Sequence, residues 1–184
     1  MVNRMKNLFL GSLLAAIAVF LFGAAYWMSP PVQGGFGVPP QPAALGKSLL
    51  DQLPGSGVYV VPTAVGTPAE QDAAARQGPL AIIHYQRDGQ PAMEPALLFR
   101  GFLLIWLTMA LMAFLLRLTA PALPTYGRRV LLVVVTGLIV AANSDWGATV
   151  WWHHSAVFAG LSSLYNVLAF LIAGLILANF TRSR

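Results

Sequence analysis

Polar side chains that could bind a proton, an ion or a small polar ligand gather near the ends of two successive apolar runs. One run begins at Val130, and a helix rising about 1.5 Å per residue places Asp145 roughly 22 Å further along. The next run starts near Ala156 and would return in the opposite direction, which brings its own polar residues to a similar depth. The predicted intramembrane polar layer comprises Asn143, Asp145, Ser162, Ser163 and Asn166.

Two interpretations of this polar layer stay open. Ionisable side chains inside a membrane are costly and often mark proton or ion sites, so Asp145 is the first candidate for such chemistry. Hydrogen bonding between helices is the simpler explanation, because polar side chains commonly hold membrane helices together. A shift of a few residues in the helix boundary would place Asp145 in water, so its position in the bilayer is left open.

A second cluster combines aromatic rings with two imidazoles and consists of Trp146, Trp151, Trp152, His153 and His154. Adjacent histidines on a helix point about 100° apart, so His153 and His154 cannot both be axial ligands of one haem. A haem, quinone or metal site that uses one of them is a hypothesis, but no HExxH-type spacing supports metal binding. Polar residues beside a tryptophan belt at the membrane–water interface are the simpler interpretation.

The sequence contains no recognisable catalytic constellation. It has no serine nucleophile motif and no paired carboxylates, and the glycines at 34–37 follow no predicted strand and open no helix. The absence of cysteine excludes disulfides, thiolate metal sites and thiol catalysis. We therefore predict no catalytic residue and no metal ligands, expect no cofactor, and favour a non-enzymatic protein over an enzyme.

Membrane-spanning helices are the elements that must position these residues. Of the 184 residues, 57% are hydrophobic and 9% are charged, whereas soluble domains have about 45–50% and about 25%. A membrane span requires about 20 apolar residues. The run that begins at Val130 reaches that length only if its helix continues through the polar residues at its end. The sequence predicts an all-α membrane protein and excludes a nucleic-acid-binding domain. The four predicted transmembrane helices cover residues 8–28, 97–116, 130–149 and 156–180.

Basic residues indicate how these helices are oriented. The formal net charge is +5, and no acidic residue lies on the side where most of the basic residues gather. The positive-inside rule then places both termini and the 117–129 loop in the cytoplasm. The first apolar run is longer than the roughly 7–15 residues of a signal-peptide core, so we expect an uncleaved anchor. The basic residues on this side are Arg4, Lys6, Arg117, Arg128, Arg129, Arg182 and Arg184.

Residues 29–96 form the only sizeable segment outside the predicted spans. Its first part, 29–43, is rich in Pro and Gly and is expected to be an extended linker, because proline interrupts helices. The remainder, 44–96, is predicted to be a small extracytoplasmic α/β segment that begins with a short helix over 43–53. A core built from so few elements would be thin.

The second half of this segment has clear local signals. Val58–Val61 is β-branched and aromatic, which predicts a strand, and residues 80–85 predict a second one. Between them, Thr67 is predicted to cap a helix, with Glu70 completing a capping box. The order strand, helix, strand predicts a βαβ-like unit, which would be right-handed if the strands are parallel.

Three stretches resemble a group of small bacterial inner-membrane proteins. They are Pro54–Pro62, Gln77–Ile82, and the Trp-rich turn before a last helix that ends in Gly174–Ala178. Proteins of this group have one helix, a short periplasmic segment and three further helices. The resemblance implies an inner membrane and a periplasmic 29–96 segment. It carries over no site residue, because the members are uncharacterised proteins without an assigned activity.

Three functional hypotheses follow. The first is a non-enzymatic inner-membrane accessory or assembly subunit, which binds a partner protein or a second copy through its extracytoplasmic segment and helix faces. Its basis is the thin soluble core and the small residues four apart on the last helix, which allow close helix packing. The alternative is a haem-, quinone- or metal-binding protein that uses the second cluster, Trp146, Trp151, Trp152, His153 and His154, which we call the outer Trp/His cluster. A second alternative is a small oligomeric transporter or channel centred on Asp145 and Asn166.

Overall fold

The computed structural model describes residues 2–62, 65–91 and 93–181, with side chains from Lys6 onward. These residues are mostly helical, and four helices among them are long and apolar enough to cross a membrane. The prediction of a mainly helical protein with four such helices is confirmed. The candidate spans are Lys6–Trp27, Pro95–Leu118, Tyr126–Trp152 and Ala156–Phe180. Of the basic residues used for orientation, Arg182, Arg184 and the side chain of Arg4 lie outside the described part.

The chain divides into two compact units. The helical unit contains the described residues of 2–36, 93–149 and 154–181, and the small unit contains those of 37–91 and 150–153. The elements in chain order are α1 (Val2–Trp27), α2 (Pro30–Gln33), α3 (Pro42–Gln52), β1 (Gly57–Val61), α4 (Pro68–Gln77), β2 (Ala81–Tyr85), α5 (Pro95–Leu118), a 3₁₀ turn (Ala120–Ala122), α6 (Tyr126–Val140), a π-helical segment (Ala141–Trp146), α7 (Gly147–Trp152) and α8 (Ala156–Phe180).

Side-chain caps explain where two of these helices begin. The capping box of α4 is confirmed: the backbone N–H of Thr67 donates to the Glu70 carboxylate at 2.8 Å, and the N–H of Glu70 donates to the Thr67 hydroxyl at 3.4 Å. Helix α6 starts at Tyr126 because the hydroxyl of Thr125 accepts a hydrogen bond from the N–H of Arg128. These bonds satisfy N–H groups that have no partner within the helix.

The expectation that residues 29–43 run extended is wrong at their start. Pro30–Gln33 forms one helical turn, with Pro30 at the first helical position, where its missing N–H is not needed. The hydroxyl of Ser29 donates to the carbonyl oxygen of Tyr26 at 2.7 Å. Val32 is buried, so this turn is anchored in the helical unit by packing as well.

Helix α8 lies between α1 and α6, and α5 packs against the other side of α1. Neighbouring helices run antiparallel, since Gly11 near the start of α1 meets Phe180 at the end of α8, and Gly137 on α6 meets Phe170. A Cβ on Gly137 would come within 2.7 Å of the Phe170 Cβ, which shows how closely α6 and α8 approach. The buried core consists of Ala15, Ala16, Val19, Met109, Met112, Ala113, Leu116, Val133, Ala169, Phe170, Ala173 and Leu177.

The small unit contains a two-stranded sheet, as predicted, but its strands are antiparallel. Val58 pairs with His84 and Val60 pairs with Ile82. The segment is therefore not a βαβ unit with parallel strands, although the order strand, helix, strand is present. The crossover helix of a parallel unit has to cover the sheet with an apolar face. Helix α4 is short and polar and has no buried residue, so it does not provide that face.

Candidate functional site

Asp145 is held by two polar side chains of the neighbouring helix. Its Oδ2 atom accepts a hydrogen bond from Nδ2 of Asn166 at 2.9 Å and another from Oγ of Ser163 at 3.2 Å. The two donors are three positions apart on α8, so they lie on the same face of that helix. All three side chains are half-buried. The arrangement connects two candidate membrane spans through one carboxylate.

The π-helical segment Ala141–Trp146 carries Asp145. Its wider turn, with i→i+5 bonding, shifts the direction of the side chains relative to a regular α-helix, and such turns often occur at functional sites. In this chain the shifted turn directs the carboxylate toward Ser163 and Asn166. Nothing in the residue pattern of 141–146 had predicted this deviation from regular geometry.

The structure brings together three of the five residues predicted for the polar layer. Asn143 lies in the same π-helical segment, but its side chain is exposed. Ser162 is half-buried, and no hydrogen bond joins it to the carboxylate within the described part of the chain. The compact form of the site is thus Asp145 with Ser163 and Asn166, and its chemistry is that of a single carboxylate with two neutral donors.

The outer Trp/His cluster is exposed rather than gathered around a centre. Trp151 and Trp152 are 75% and 59% exposed, and Trp146 is exposed as well. Helix α7 ends at Trp152, and His153 has a positive φ of 55°, so the two histidines lie in a turn instead of on a helix. The ring of His154 lies 6.2 Å from that of Phe158. Among the described residues, no group of three or more His, Asp or Glu could hold a metal ion.

An aromatic cluster joins the end of α1 to α8 and was not predicted. The rings of Phe22 and Tyr165 are stacked with their centroids 5.7 Å apart, and Trp27 lies 5.5 Å from Tyr165. The hydroxyl of Tyr26 donates to the carbonyl oxygen of Leu161 at 2.8 Å. Phe22 and Tyr26 are four residues apart and therefore share one helix face, a spacing from which their proximity could have been predicted. The cluster adjoins Asp145's partner Asn166 along α8.

Arg129 is a further residue whose role was missed, because sequence reasoning used it only for orientation. It is 3% exposed. Its Nε donates to the carbonyl oxygen of Ala178 at 3.1 Å, and its Nη1 donates to those of Leu123 and Pro124 at 3.0 and 3.3 Å. Carbonyl groups at the end of a helix carry partial negative charge, so they stabilise the guanidinium. Arg129 thereby ties the α5–α6 connection to the end of α8.

A cavity of about 270 Å³ lies within the small unit. The end of β1, the start of β2 and one side of α4 form its walls, together with the segment Trp151–His153. The lining is hydrocarbon and indole except for Gln71 and His153. No sequence signal had connected the Trp-rich turn to the strands.

No protein-family model matches the chain, and no curated protein or solved structure is significantly similar to it.

Proposed function

We propose that the chain is a non-enzymatic multi-pass membrane protein that acts as an accessory or assembly subunit, with its small unit binding a partner protein or a second copy. One observation carries this proposal. None of the described side chains of the small unit is buried, whereas the helical unit contains the whole core. A folded unit of this size without buried apolar side chains needs additional contacts to be stable.

The exposed face of β1 is the best candidate for the binding surface. Val58 and Val60 share one face of the strand and are 61% and 47% exposed. Their cross-strand neighbours are His84, which is also exposed, and Ile82. Clustered apolar side chains on a surface are typical of interaction sites.

Tyr85 provides a second, independent sign of incomplete contacts. Its hydroxyl is buried and has no hydrogen-bond partner among the described residues. Buried polar atoms in folded proteins nearly always have a partner, so an orphaned hydroxyl requires an explanation. The small unit therefore leaves a polar group of its own interior without a partner among the described residues.

For the location, we propose the bacterial inner membrane, with both termini in the cytoplasm and residues 29–96 in the periplasm. The antiparallel order of α1, α5, α6 and α8 brings Lys6, Arg117 and Arg128 to the same end of the helical unit. Asp145, the acidic residue of the third candidate span, follows the opposite end of α6. Basic residues favour the cytoplasmic side, which supports this orientation.

Single cysteines in this cysteine-free chain test the orientation. Gly89 and Gly127 are exposed, and a Cβ at either position meets no atom within 4 Å, so Gly89→Cys and Gly127→Cys should leave the fold intact. In spheroplasts, a membrane-impermeant maleimide should label Gly89→Cys directly and Gly127→Cys only after lysis. The opposite pattern would reverse the proposed topology.

Site-specific photo-crosslinking in native membranes tests the proposed binding role. A photoreactive residue at Val58 should form an adduct of one defined mass, which identifies either a second copy or a partner protein. Ala73 is an exposed residue of α4 and serves as the matched control, where the same adduct should be weak or absent. A protein that forms no adduct at Val58 and is strictly monomeric would overturn the proposal.

The Asp145 site favours translocation of protons or small ions as a second candidate function. Its carboxylate connects two candidate membrane spans and lies in a π-helical turn. Proton flux into liposomes containing the protein should be lost in Asp145→Asn, which removes the negative charge of the carboxylate but keeps its shape. The exposed neighbour Asn143 provides the control variant Asn143→Ala. Equal flux in all three proteins would remove this candidate.

A further inference from the structure

The cavity of the small unit has the size of a modest ligand site. Its volume of about 270 Å³ is close to the lower end of small-molecule pockets, which begin at about 300 Å³. At about 30 Å³ per molecule in the liquid, that space would hold about nine waters. Such a volume accommodates a segment of hydrocarbon chain but not a whole phospholipid.

The lining determines which chemistry fits. Val60, Ile82 and Trp152 are among the apolar residues that form the walls, and none of the described lining residues is acidic, lysine or arginine. A charged ligand would lose its hydration there without gaining a counter-charge. The lining contains two polar side chains, Gln71 and His153, and Nε2 of Gln71 already donates to the carbonyl oxygen of Gly66 at 3.0 Å. The His153 imidazole is therefore the group that one neutral polar group of a ligand would meet. The site therefore suits an uncharged, mainly apolar molecule.

One wall of the cavity is continuous in sequence with a candidate membrane span. Trp151 and Trp152 are the last residues of the candidate span Tyr126–Trp152, and His153 follows directly. Tryptophan at the end of a span lies at the level of the lipid headgroups, where hydrocarbon chains are in reach. Both indoles are largely exposed, so they can contact a lipid chain without displacing protein.

We propose that this cavity binds the hydrocarbon chain of a neutral membrane lipid, with its polar group near His153. The lipid supplies apolar contacts to a unit in which none of the described side chains is buried. The cavity shares Val60 and Ile82 with the face of β1 proposed to bind a partner. Lipid binding is nevertheless tested separately, since it requires only the purified full chain and a bilayer.

Photolabelling in nanodiscs tests this assignment on the full-length protein. The probe is a monoacylglycerol with a diazirine in its acyl chain, at a low mole fraction in phosphatidylcholine, and labelled peptides are mapped by mass spectrometry. We expect labels in the three stretches outside the candidate spans that line the cavity, Val60–Pro62, Gln71–Ala75 and Leu80–Ile82, as well as on the spans themselves.

Two variants of α4 provide the matched comparison. Both Ala73 and Ala75 are exposed, but Ala75 lines the cavity and Ala73 does not. Ala75→Leu places three extra carbon atoms in the cavity and should reduce labelling of these stretches at least about tenfold. Ala73→Leu should leave it unchanged. Labelling of the spans is an internal standard in both proteins.

A second variant that fills the cavity from another element keeps the test valid if Ala75→Leu misfolds. Ala81→Val fills the cavity from β2 with a residue that favours strands, and it should reduce labelling in the same way. Labelling that persists in both blocked proteins with unchanged circular dichroism would overturn the proposal. So would the absence of any label on the cavity walls of the unaltered protein, which would instead favour an apolar side chain of a partner as the occupant.

Discussion

The two units of this protein differ in how they bury apolar side chains. Val133 on α6 is 0% exposed, whereas Val58 on β1 is 61% exposed, although both are valines in regular secondary structure. In the helical unit, glycine and alanine let α1, α6 and α8 approach closely, and long side chains fill the remaining space. In the small unit, β1, β2, α4 and the segment Trp151–His153 line a cavity, and no described side chain is buried. The helical unit thus supplies its own buried contacts, whereas the small unit buries none of its described side chains.

Removal of Arg129 should have the largest effect on the helical unit. Arg129→Ala leaves three backbone carbonyls without their charged donor and should lower the free energy of unfolding by about 3 kcal/mol or more. Arg128 precedes it in the chain but is exposed, so Arg128→Ala should change stability by no more than about 0.5 kcal/mol. Unfolding in mixed micelles, followed by circular dichroism, measures both. Equal effects would show that the helical unit does not depend on this buried guanidinium.

The close approach of α6 and α8 should make Gly137 intolerant of a methyl group. Gly137→Ala brings a Cβ within 2.7 Å of the Phe170 Cβ and should cost about 2 kcal/mol in the same unfolding measurement. Gly160 on α8 has no atom within 4 Å of a built Cβ. Gly160→Ala should therefore be neutral or stabilising by up to about 1 kcal/mol. If both substitutions were neutral, the helices would be more loosely packed than the structure indicates.

The same chemical change in both units tests the contrast directly. Val133→Ala should lower the free energy of unfolding of the helical unit by about 1–2 kcal/mol, because it leaves a space in a closed core. Val58→Ala should change hydrogen exchange of β1 by an amount equivalent to no more than about 0.5 kcal/mol in the purified protein. A large loss of protection in the purified protein would mean that the small unit has a core of its own.

The smallest effect concerns the start of α4. Hydrogen bonds from the N–H and hydroxyl of Thr67 lower the pKa of Glu70 below its ordinary value of 4.5. Because the pKa is lower in the folded state, the carboxylate stabilises α4 above the ordinary pKa, and this contribution is lost as the pH falls through the folded value. The ¹³Cα shifts of Pro68–Gln77 should therefore report fraying below about pH 4.5. Glu70→Gln, which does not titrate, should show no such transition.

Local sequence signals predicted much of the secondary structure. Long apolar runs predicted the four candidate spans, since the thickness of a bilayer sets their length. The β-branched run before Pro62 predicted β1, and Thr67 with Glu70 predicted the start of α4. In each case the interactions that form the element lie within a few residues along the chain. The same local reasoning failed at Pro30, where proline begins a helical turn instead of preventing one.

The candidate site was only partly predictable. Helical rise brought Asp145 to the approximate level of Ser163 and Asn166, and the structure joins these three side chains. The same estimate from helical rise could not show that Asn143 faces outward, because the direction of that side chain depends on the π-helical segment. The cavity could not be predicted from the sequence, since its walls come from segments about 70 residues apart and local signals do not indicate which distant segments meet.

Local features of the sequence are sufficient to predict the helical class, the four apolar helices and the order of strands and helix in the small unit, because these follow from hydrophobic length, alternation and capping. Tertiary structure alone decided that the strands pair antiparallel, that Arg129 is buried among carbonyl groups and that the apolar side chains of β1 stay uncovered. Those outcomes depend on which distant segments come together and how closely they pack. No local periodicity encodes that choice, since it is made by the free energy of the whole assembled chain.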